Sequence, residues 1–304
     1  MNWTHEKPLS HPGAKAITAE LVSGLKENFF IKRSRRIVFV CGGSTDPSSL
    51  SRRAGFLSWA QTNIQDKALL LRAEIAYAAA TERGKKFINL SEFEGVLADI
   101  SDCILIFPES AGAYSEVGIF ATKESIRNKT LIANDSAHEV RDSFLLLGPF
   151  HTINEDSRFN PSVNSDSTKG PDPNFHERIW NRICDRTATF GHRQRPKACH
   201  FVEMQLSDRM AILSWVIKMT ERAKFGDLLD ILRACFGQED GDVRALKSTL
   251  AMLIALQQIS SPAEELYRTK RRQEFGLIVE VNAPKLRALF RNFWMKEFPK
   301  LWSY

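Results

Sequence analysis

The sequence predicts an α/β fold in which a parallel sheet is followed by a second, mainly helical domain. In the first half of the chain, short apolar runs alternate with helix-like segments, which is typical of a parallel sheet covered by helices on both faces. In the last third, apolar residues recur at helical spacing. We therefore expect a parallel-sheet domain at 1–153, a flexible linker or loop at 154–175 and a helical domain at 176–304.

The first domain is predicted from four strand-like runs separated by helix-like segments. The strand-like runs are short and apolar and are followed by polar or turn residues, as expected of strands buried on both faces. The expected strands lie at 37–40, 87–90, 103–107 and 131–133. The expected helices lie at 16–30, 49–62, 67–81, 92–100 and 114–126. The linker is expected because 164–173 consists mostly of Asn, Asp, Ser, Pro and Gly.

The second domain is predicted from three consecutive helices, a basic loop and a strand, an order that matches a winged-helix layout. These segments lie at 206–217, 225–236, 242–257, 268–272 and 277–281, and a closing amphipathic helix follows through 286–293. The third helix would face a groove of nucleic acid, with Arg244 and Lys247 at exposed positions. The loop would form a wing whose basic residues contact phosphates without reading sequence. These wing residues are Arg268, Lys270, Arg271 and Arg272.

The net charge of +6 is unevenly distributed along the chain. Residues 1–150 carry 18 basic and 17 acidic side chains, whereas residues 151–304 carry 24 and 19. Lys and Arg release counterions when they neutralise a phosphate backbone, so a basic second half indicates nucleic acid as a partner. A solvated basic surface without a partner explains the same excess. Both interpretations stay open.

Length and composition narrow the class of protein. The 304 residues suffice for two cores, and a hydrophobic content of 43% excludes global disorder. Every apolar run is far shorter than the roughly 18 residues of a membrane span, and the first residues lack the pattern of a secretory signal. We expect a cytoplasmic protein without membrane contact. The five scattered cysteines fit reduced thiols, and the seven histidines show no metal-ligand spacing, so no metal site is expected.

The candidate site lies where the predicted strands end, because parallel sheets bind ligands at the carboxyl ends of their strands. The strand at 103–107 is followed by Glu109, small residues and then Glu116. Candidate substrate-binding residues in this segment are Ser110, Gly112 and Tyr114. After the first strand the candidates are Gly42, Gly43, Ser44 and Asp46. Tyr77 and Glu74, on a predicted helix, would reach over the site, although Tyr77 also fits simple packing among alanines.

Glu116 is the first candidate for a catalytic residue. We place it in the first turn of a helix, where the positive end of the helix dipole favours the ionised carboxylate. Such a group suits cleavage of a ribosyl–base bond, because a carboxylate next to the anomeric carbon stabilises or attacks an oxocarbenium-like transition state. Glutamates are also common in first helical turns for dipole reasons alone. Asp99 and Asp102 precede their strand and belong at the opposite edge of the sheet.

The segment from 37 to 121, with a glycine-containing turn leading into a helix that bears a glutamate, resembles nucleoside deoxyribosyltransferase-like domains. The whole chain, with this domain joined to a C-terminal winged helix, resembles the effector proteins of bacterial retrons, toxins of anti-phage defence systems. The resemblance implies a flavodoxin-like fold and cleavage of the glycosidic bond of NAD or another nucleotide. It also implies restraint by a partner reverse transcriptase and its multicopy single-stranded DNA and RNA. It assigns the nucleophile to Glu116, and it places Glu109 where many members of the family carry a supporting Asp.

Several alternatives stay open at this point. The enzyme would need no cofactor beyond the NAD or nucleotide substrate, but hydrolysis is not distinguished from base transfer. A second enzymatic hypothesis is a nucleoside monophosphate glycosidase or deoxyribosyltransferase. The alternative outside enzymes is a transcriptional regulator that senses a nucleotide, binds through its winged helix and has no catalytic activity. The oligomeric state is also open and includes a higher-order assembly.

Overall fold

A computed structural model of the chain describes residues 7–27, 29–32, 35–44, 46, 51–74, 90–138, 142–187, 193–194, 200–261, 266–270, 277–279 and 281–303. None of the helices in these ranges combines the length and the apolar character that a bilayer crossing requires.

The secondary structure alternates between strands and helices up to residue 186 and is mainly helical from residue 206 on. The strands, numbered along the chain, are β1 (Phe29–Lys32), β2 (Arg36–Gly42), β3 (Ala68–Leu71), β4 (Cys103–Phe107), β5 (Thr130–Asp135), β6 (Val163–Ser165), β7 (Arg193–Gln194), β8 (Ile259–Ser260), β9 (Arg268–Thr269) and β10 (Leu277–Val279). The helices are α1 (Pro12–Glu27), α2 (Arg52–Asn63), α3 (Leu90–Ile100), α4 (Ala111–Thr122), α5 (Glu124–Arg127), α6 (His151–Asp156), α7 (Phe175–Arg186), α8 (Leu206–Met219), α9 (Phe225–Phe236), α10 (Asp242–Ala255), α11 (Ala283–Glu297) and α12 (Pro299–Trp302).

The chain divides into two compact units. One comprises Arg35–Glu74 and Phe87–Phe190, and the other comprises the rest of the chain. We call them the sheet unit and the helical unit. The division differs from the boundaries expected at 153 and 176. Residues before Arg35 belong to the helical unit, and the sheet unit extends to Phe190.

The sheet unit is built on a five-stranded parallel sheet with the order β3-β2-β4-β5-β6. Counted within the sheet, this order is 2-1-3-4-5, which is the flavodoxin-like arrangement of a doubly wound fold. The chain reverses direction across the sheet between β2 and β4, so that the carboxyl ends of these two strands flank a crevice. The expected α/β fold class is confirmed, and a ligand site is expected at this edge.

Helices cover both faces of the sheet because alternate residues of its strands point to opposite sides. On one face, Val38 and Val40 of β2 belong to a core cluster with residues of α2 and α7. On the other face, the ring of Phe39 meets that of Phe120 of α4 at 6.4 Å between centroids. The α4 face that carries Phe120 therefore lies over the side of β2 to which Phe39 points.

The expected linker at 154–175 is instead part of the sheet unit. It contains the end of α6, the edge strand β6 and the first residue of α7. Val163 pairs with Ala133 of β5 and is buried, and Phe175 and Ile179 of α7 are buried in the same core cluster. The composition of this stretch is polar, but three buried apolar residues inside it, Phe159, Val163 and Phe175, anchor it to the core of the sheet unit.

The expected helix at 67–81 begins instead as strand β3, which pairs in parallel with β2 from Arg36 to Phe39. Alanine and leucine favour helix in isolation, but pairing at the sheet edge with Ala68 and Leu71 buried outweighs this preference. Of the strand expected at 87–90, Leu90 begins α3 and the other residues lie outside the described ranges. The strand at 103–107 matches the expected bounds.

The helical unit packs α8 against α10 and α11, and α1 against α9 and α11. The expected helices at 206–217, 225–236 and 242–257 are present with ends within two residues. They are followed by a two-stranded antiparallel hairpin of β8 and β9. The first strand of the chain, β1, pairs with β7 and β10. The opening helix therefore ends at Glu27, three residues before its expected end.

Candidate functional site

The first feature of the site is the turn after β2, where the backbone comes very close to β4. Gly42 has a φ of +135°, and a Cβ placed on it would lie 2.5 Å from the main-chain O of Phe107. Only glycine accepts both this conformation and this approach. There is also little space for a side chain at Gly43, because a Cβ there would lie 3.1 Å from the Cβ of Glu109. The two glycines thus bring the end of β2 against the end of β4.

The second feature is the N-terminus of α2, which is held by Glu109. The Glu109 carboxylate accepts hydrogen bonds from Ser51 Oγ and from the main-chain N of Arg52, both at 2.7 Å, and a longer one from the N of Arg53 at 3.4 Å. These main-chain N–H groups have no partner within the helix, and a carboxylate at the positive end of the dipole is favourable. Glu109 was expected to be catalytic, but in this structure it caps a helix.

Two consecutive arginines in the first turn of α2 point to different strands. Arg52 forms an ion pair with Asp135 at the end of β5, with 2.5 Å between Nη2 and Oδ2. Arg53 turns toward β2, where Nη1 donates to the main-chain O of Gly43 at 3.0 Å and Nη2 donates to that of Val40 at 2.8 Å. The N-terminus of α2 is therefore fixed across the carboxyl ends of β2, β4 and β5.

Arg53 also forms the central ion pair of the site. Its Nη2 lies 2.9 Å and 3.0 Å from the two carboxylate oxygens of Glu74, and its side chain is only 7% exposed. A buried guanidinium is costly unless it is paired and hydrogen-bonded, and Arg53 has both kinds of partner. Glu74 follows β3, so this pair ties the edge strand to β2.

A cavity of about 380 Å³ opens at this edge of the sheet. Its volume is within the range of small-molecule sites. Its lining residues come from β2 and the turn after it, from α2, from the residues after β3, from α3 and from α4. They are Phe39, Val40, Cys41, Gly43, Ser44, Arg53, Ala73, Glu74, Glu94 and Glu116. Within the described part of the lining, three carboxylates therefore face one guanidinium.

Glu116 lies in the second turn of α4 and not in the first. Ser110 caps this helix by accepting a hydrogen bond from the N of Ala113 at 3.2 Å, so the helix begins at Ala111. Glu116 is half-buried, and in the described part of the chain no donor reaches its buried Oε2. The dipole of the first turn is therefore not the main influence on this carboxyl.

The environment of Glu116 favours its protonated form, whereas the position expected from the sequence, in the first turn of the helix, favours the ionised form. Burial raises the pKa of Glu116 to about 7, the negative charges of Glu94 and Glu74 add to this effect, and Arg53 opposes it. Burial, followed by the charge of Glu74, also raises the pKa of Glu94. A carboxyl with a pKa near 7 is present in both forms at neutral pH. This is the most perturbed glutamate that lines the cavity and marks it as a functional candidate.

The structure brings together some of the expected site residues and separates others. Glu116, Gly43 and Ser44 line the cavity, as does Glu74. Asp46 donates its main-chain N to Ser44 Oγ at 3.1 Å and is outside the lining.

The remaining expected residues are in other positions. Ser110 is the cap of α4, Gly112 and Tyr114 are exposed on its first turn, and none of the three lines the cavity. Tyr77 lies outside the described residues. Asp102 accepts a hydrogen bond from the N of Ile37 at the start of β2, which confirms that it belongs to the opposite edge of the sheet.

Sequence reasoning missed Arg53 and Glu94 as lining residues. The sequence contains an indication of both residues, because each occupies a position on the buried face of its helix. Arg53 precedes buried Phe56 and Leu57 by three and four residues, and Glu94 precedes buried Leu97 and Ala98 in the same way. A charged residue in a core stripe is an exception that indicates a partner or a site.

Comparison with known proteins places the chain in a family. The family described as STM3845 retron effector protein matches residues 49–261, which is more than two thirds of the chain. The chain belongs to this family of retron effectors. It is 20% identical over 276 residues to a protein of retron Ec73 from Escherichia coli, described as a candidate ribosyltransferase and DNA-binding protein, and the match covers 88% of this chain and 87% of the relative.

A second relative matches a shorter part of this retron effector. The corresponding protein of retron Ec86 from Escherichia coli, with the same description, is 28% identical over 133 residues. The match covers 42% of this chain and 41% of the relative. The names of both relatives indicate an enzyme of the glycosyl-transfer type.

The helical unit of the retron effector carries the residues expected to contact nucleic acid. Arg244 and Lys247 are exposed on α10, and Lys270 is exposed directly after β9. Arg268 is partly exposed, and its Nε lies 3.4 Å from Ser260 Oγ across the hairpin. Arg271 and Arg272 lie outside the described residues. No group of three or more His, Cys, Asp or Glu side chains in the described ranges is placed to hold a metal ion.

Proposed function

We propose that this retron effector cleaves the N-glycosidic bond of NAD or a related nucleotide, with Glu116 next to the anomeric carbon. The observation that carries the proposal is the half-buried Glu116 carboxyl, which lines a cavity at the carboxyl edge of a flavodoxin-like sheet. The proposal is also supported by the two relatives described as candidate ribosyltransferases.

In the proposed reaction, the ionised form of Glu116 offsets the positive charge that develops on the sugar as the bond from C1′ to the base nitrogen breaks. The base leaves with the electron pair of that bond, and water or a second acceptor supplies the new bond to C1′. A carboxylate that water solvates poorly interacts more strongly with a developing cation. Burial of Glu116 therefore serves this step, although it also raises the fraction of the inactive, protonated form.

The charge of the cavity favours NAD over nucleotides with neutral bases. Three carboxylates and one guanidinium leave an excess of negative charge among the described lining residues. The nicotinamide ring of NAD carries a positive charge and leaves as a neutral molecule, so it needs no proton donor. A neutral purine or pyrimidine becomes a good leaving group only when it is protonated. For such a base we propose Glu94, a carboxyl that lines the same cavity and whose pKa burial raises, as the proton donor.

We further propose that the helical unit binds the reverse transcriptase of its retron or the attached multicopy single-stranded DNA and RNA, and that this complex restrains the enzyme. This part is supported by membership in the retron effector family and by relatives described as DNA-binding. Exposed basic residues on α10 and next to the hairpin are suited to contacts with phosphates.

The proposed reaction is tested by chromatography of the bases released from NAD and from a set of nucleoside monophosphates. We expect nicotinamide and ADP-ribose from NAD, and slower release from the monophosphates, because of the charge of the cavity. Release from monophosphates alone would identify a nucleoside monophosphate glycosidase, and transfer to an added base would identify a transferase. Absence of release from every substrate, together with sequence-selective binding to duplex DNA, would support the transcriptional regulator instead.

The proposed nucleic-acid contact is tested by replacing Arg268 and Lys270 with glutamate. We expect association with the complex of reverse transcriptase and multicopy DNA to weaken by roughly tenfold or more, because two phosphate contacts are lost. Toxicity should increase in cells that carry the whole retron. Binding is measured by mobility shift or interferometry at two salt concentrations, and the dependence on salt should become shallower in the variant.

The matched control replaces Lys15 and Lys26, which are exposed on α1, with glutamate. This variant has the same change in net charge. If both double variants weaken association equally, the effect is one of total charge, and the residues next to the hairpin are not the contact.

A further inference from the structure

The arginine that lines the cavity, Arg53, makes most of its contacts with groups of the protein. Besides both oxygens of Glu74, the Arg53 guanidinium contacts the main-chain O of Val40, Gly42 and Gly43. These contacts occupy both Nη atoms with groups of the protein. Arg53 is therefore suited to hold the cavity in shape and less suited to bind a substrate phosphate.

Resting on the proposed role of Glu116, we propose that Arg53 is the positioning residue of this cavity. Its guanidinium holds Glu74 and the Gly42–Gly43 turn in place and supplies positive charge next to Glu116.

The electrostatic part of this proposal follows from the groups that face Glu116. Glu94 faces it from α3, Glu74 from the residues after β3, Cys41 from β2 and Arg53 from α2. The two carboxylates and burial favour the protonated form of Glu116, and Arg53 is the cation that favours the ionised form. Without this cation the pKa of Glu116 rises further, and less of the reactive carboxylate is present at neutral pH.

The neighbouring Arg52 provides a matched control. It lies in the same turn of α2 and forms an ion pair with Asp135, but it does not line the cavity. Loss of either guanidinium removes an ion pair, with Asp135 for Arg52 and with Glu74 for Arg53, and lowers stability. Only loss of Arg53 is expected to change the ionisation of Glu116.

The experiment compares Arg53→Gln, Arg53→Lys and Arg52→Gln with the wild-type full chain. The first readout is the titration of Glu116, followed by NMR of glutamate labelled with ¹³C at the side-chain carboxyl and assigned with Glu116→Gln. The second readout is kcat and KM for base release as a function of pH. Circular dichroism confirms that each variant is folded.

In Arg53→Gln we expect the titration midpoint of Glu116 and the acid limb of kcat/KM, which both report the free enzyme, to move together to higher pH. The loss of kcat/KM should be larger well below pH 7 than well above it. In Arg53→Lys the charge is kept but the paired contacts are lost, so the midpoint should stay close to that of the wild type while kcat falls at every pH. Arg52→Gln should lower stability without moving the midpoint.

Three outcomes would overturn the proposal: an unchanged midpoint in Arg53→Gln, an equal shift in Arg52→Gln, or full activity of Arg53→Lys. If Arg53→Gln does not fold, the activity of Arg53→Lys still tests whether Arg53 is a positioning residue. The NMR titration does not depend on catalysis. A shifted midpoint in a protein that releases no base would contradict the proposed function and leave the role of Arg53 intact.

Discussion

Replacing Glu116 with glutamine is expected to lower kcat for base release by about 10²- to 10³-fold. Glutamine keeps the shape of the side chain but has no charge to offset the developing cation. In the wild type, kcat/KM should rise with pH through a midpoint near 7, because burial raises the pKa of Glu116 in the free enzyme to about 7 and the ionised form is the active one. The measurement is a pH series of base release with the substrate concentration well below KM.

The effect of Glu116→Gln on stability distinguishes a catalytic loss from misfolding. The pKa of Glu116 is higher in the folded state, about 7, than the ordinary value of 4.5 for a glutamate, so its contribution to stability is present at low pH and is lost as the pH rises through about 7. Removing a buried charge should therefore make the variant at least as stable as the wild type above pH 7. The control is Glu124→Gln, the same change at an exposed residue of α5. Equal activity of both variants would contradict the assignment of Glu116.

Replacing Gly42 with alanine is expected to destabilise the sheet unit by about 3 kcal/mol or more, which is a large part of the stability of an ordinary domain. The backbone at Gly42 has a φ of +135°, and the new Cβ would lie 2.5 Å from the O and 2.8 Å from the Cβ of Phe107. Neither β2 nor β4 can move aside without breaking the pairing of Gly42 with Phe107. The measurement is equilibrium unfolding in urea, followed by circular dichroism.

The control for this change is Gly118→Ala in the middle of α4, where, apart from the helix itself, no described residue lies within 4 Å of the added Cβ. This variant should be more stable than the wild type by about 0.5–1 kcal/mol, because glycine loses more conformational freedom than alanine in a helix. A lower free energy of unfolding in Gly42→Ala and a higher one in Gly118→Ala would show that the close approach at Gly42 causes the loss of stability. An unchanged stability of Gly42→Ala would mean that the turn relaxes easily and does not fix the cavity.

The fold class could be predicted because its signals are local. The strand at 103–107 is apolar throughout, is preceded by Asp102 and is followed by Pro108, and its predicted ends match those of β4. The three helices of the helical unit were also predicted within two residues at each end, because their apolar stripes repeat at a regular spacing. Membership in the retron effector family agrees with the resemblance drawn from the residues.

The strands β3 and β6 could not be predicted, because each depends on a partner far away in sequence. Ala68–Leu71 has the composition of a helix, and Val163–Ser165 lies in a polar stretch, but both pair with a strand that the sequence alone does not bring near. The boundary of the sheet unit was misplaced for the same reason, since α7 joins a core that is formed by the sheet.

By itself, the sequence determined the parallel sheet, the helical second half and the position of a glutamate after the strand at 103–107, because spacing along the chain encodes these features. Only the tertiary structure decided which charges face that glutamate. The ionisation of a carboxyl depends on its burial and on the charges around it, and the residues that supply both for Glu116 come from four separate segments. Arg53, Glu74 and Glu94 are distant from Glu116 in the sequence and line one cavity only after folding.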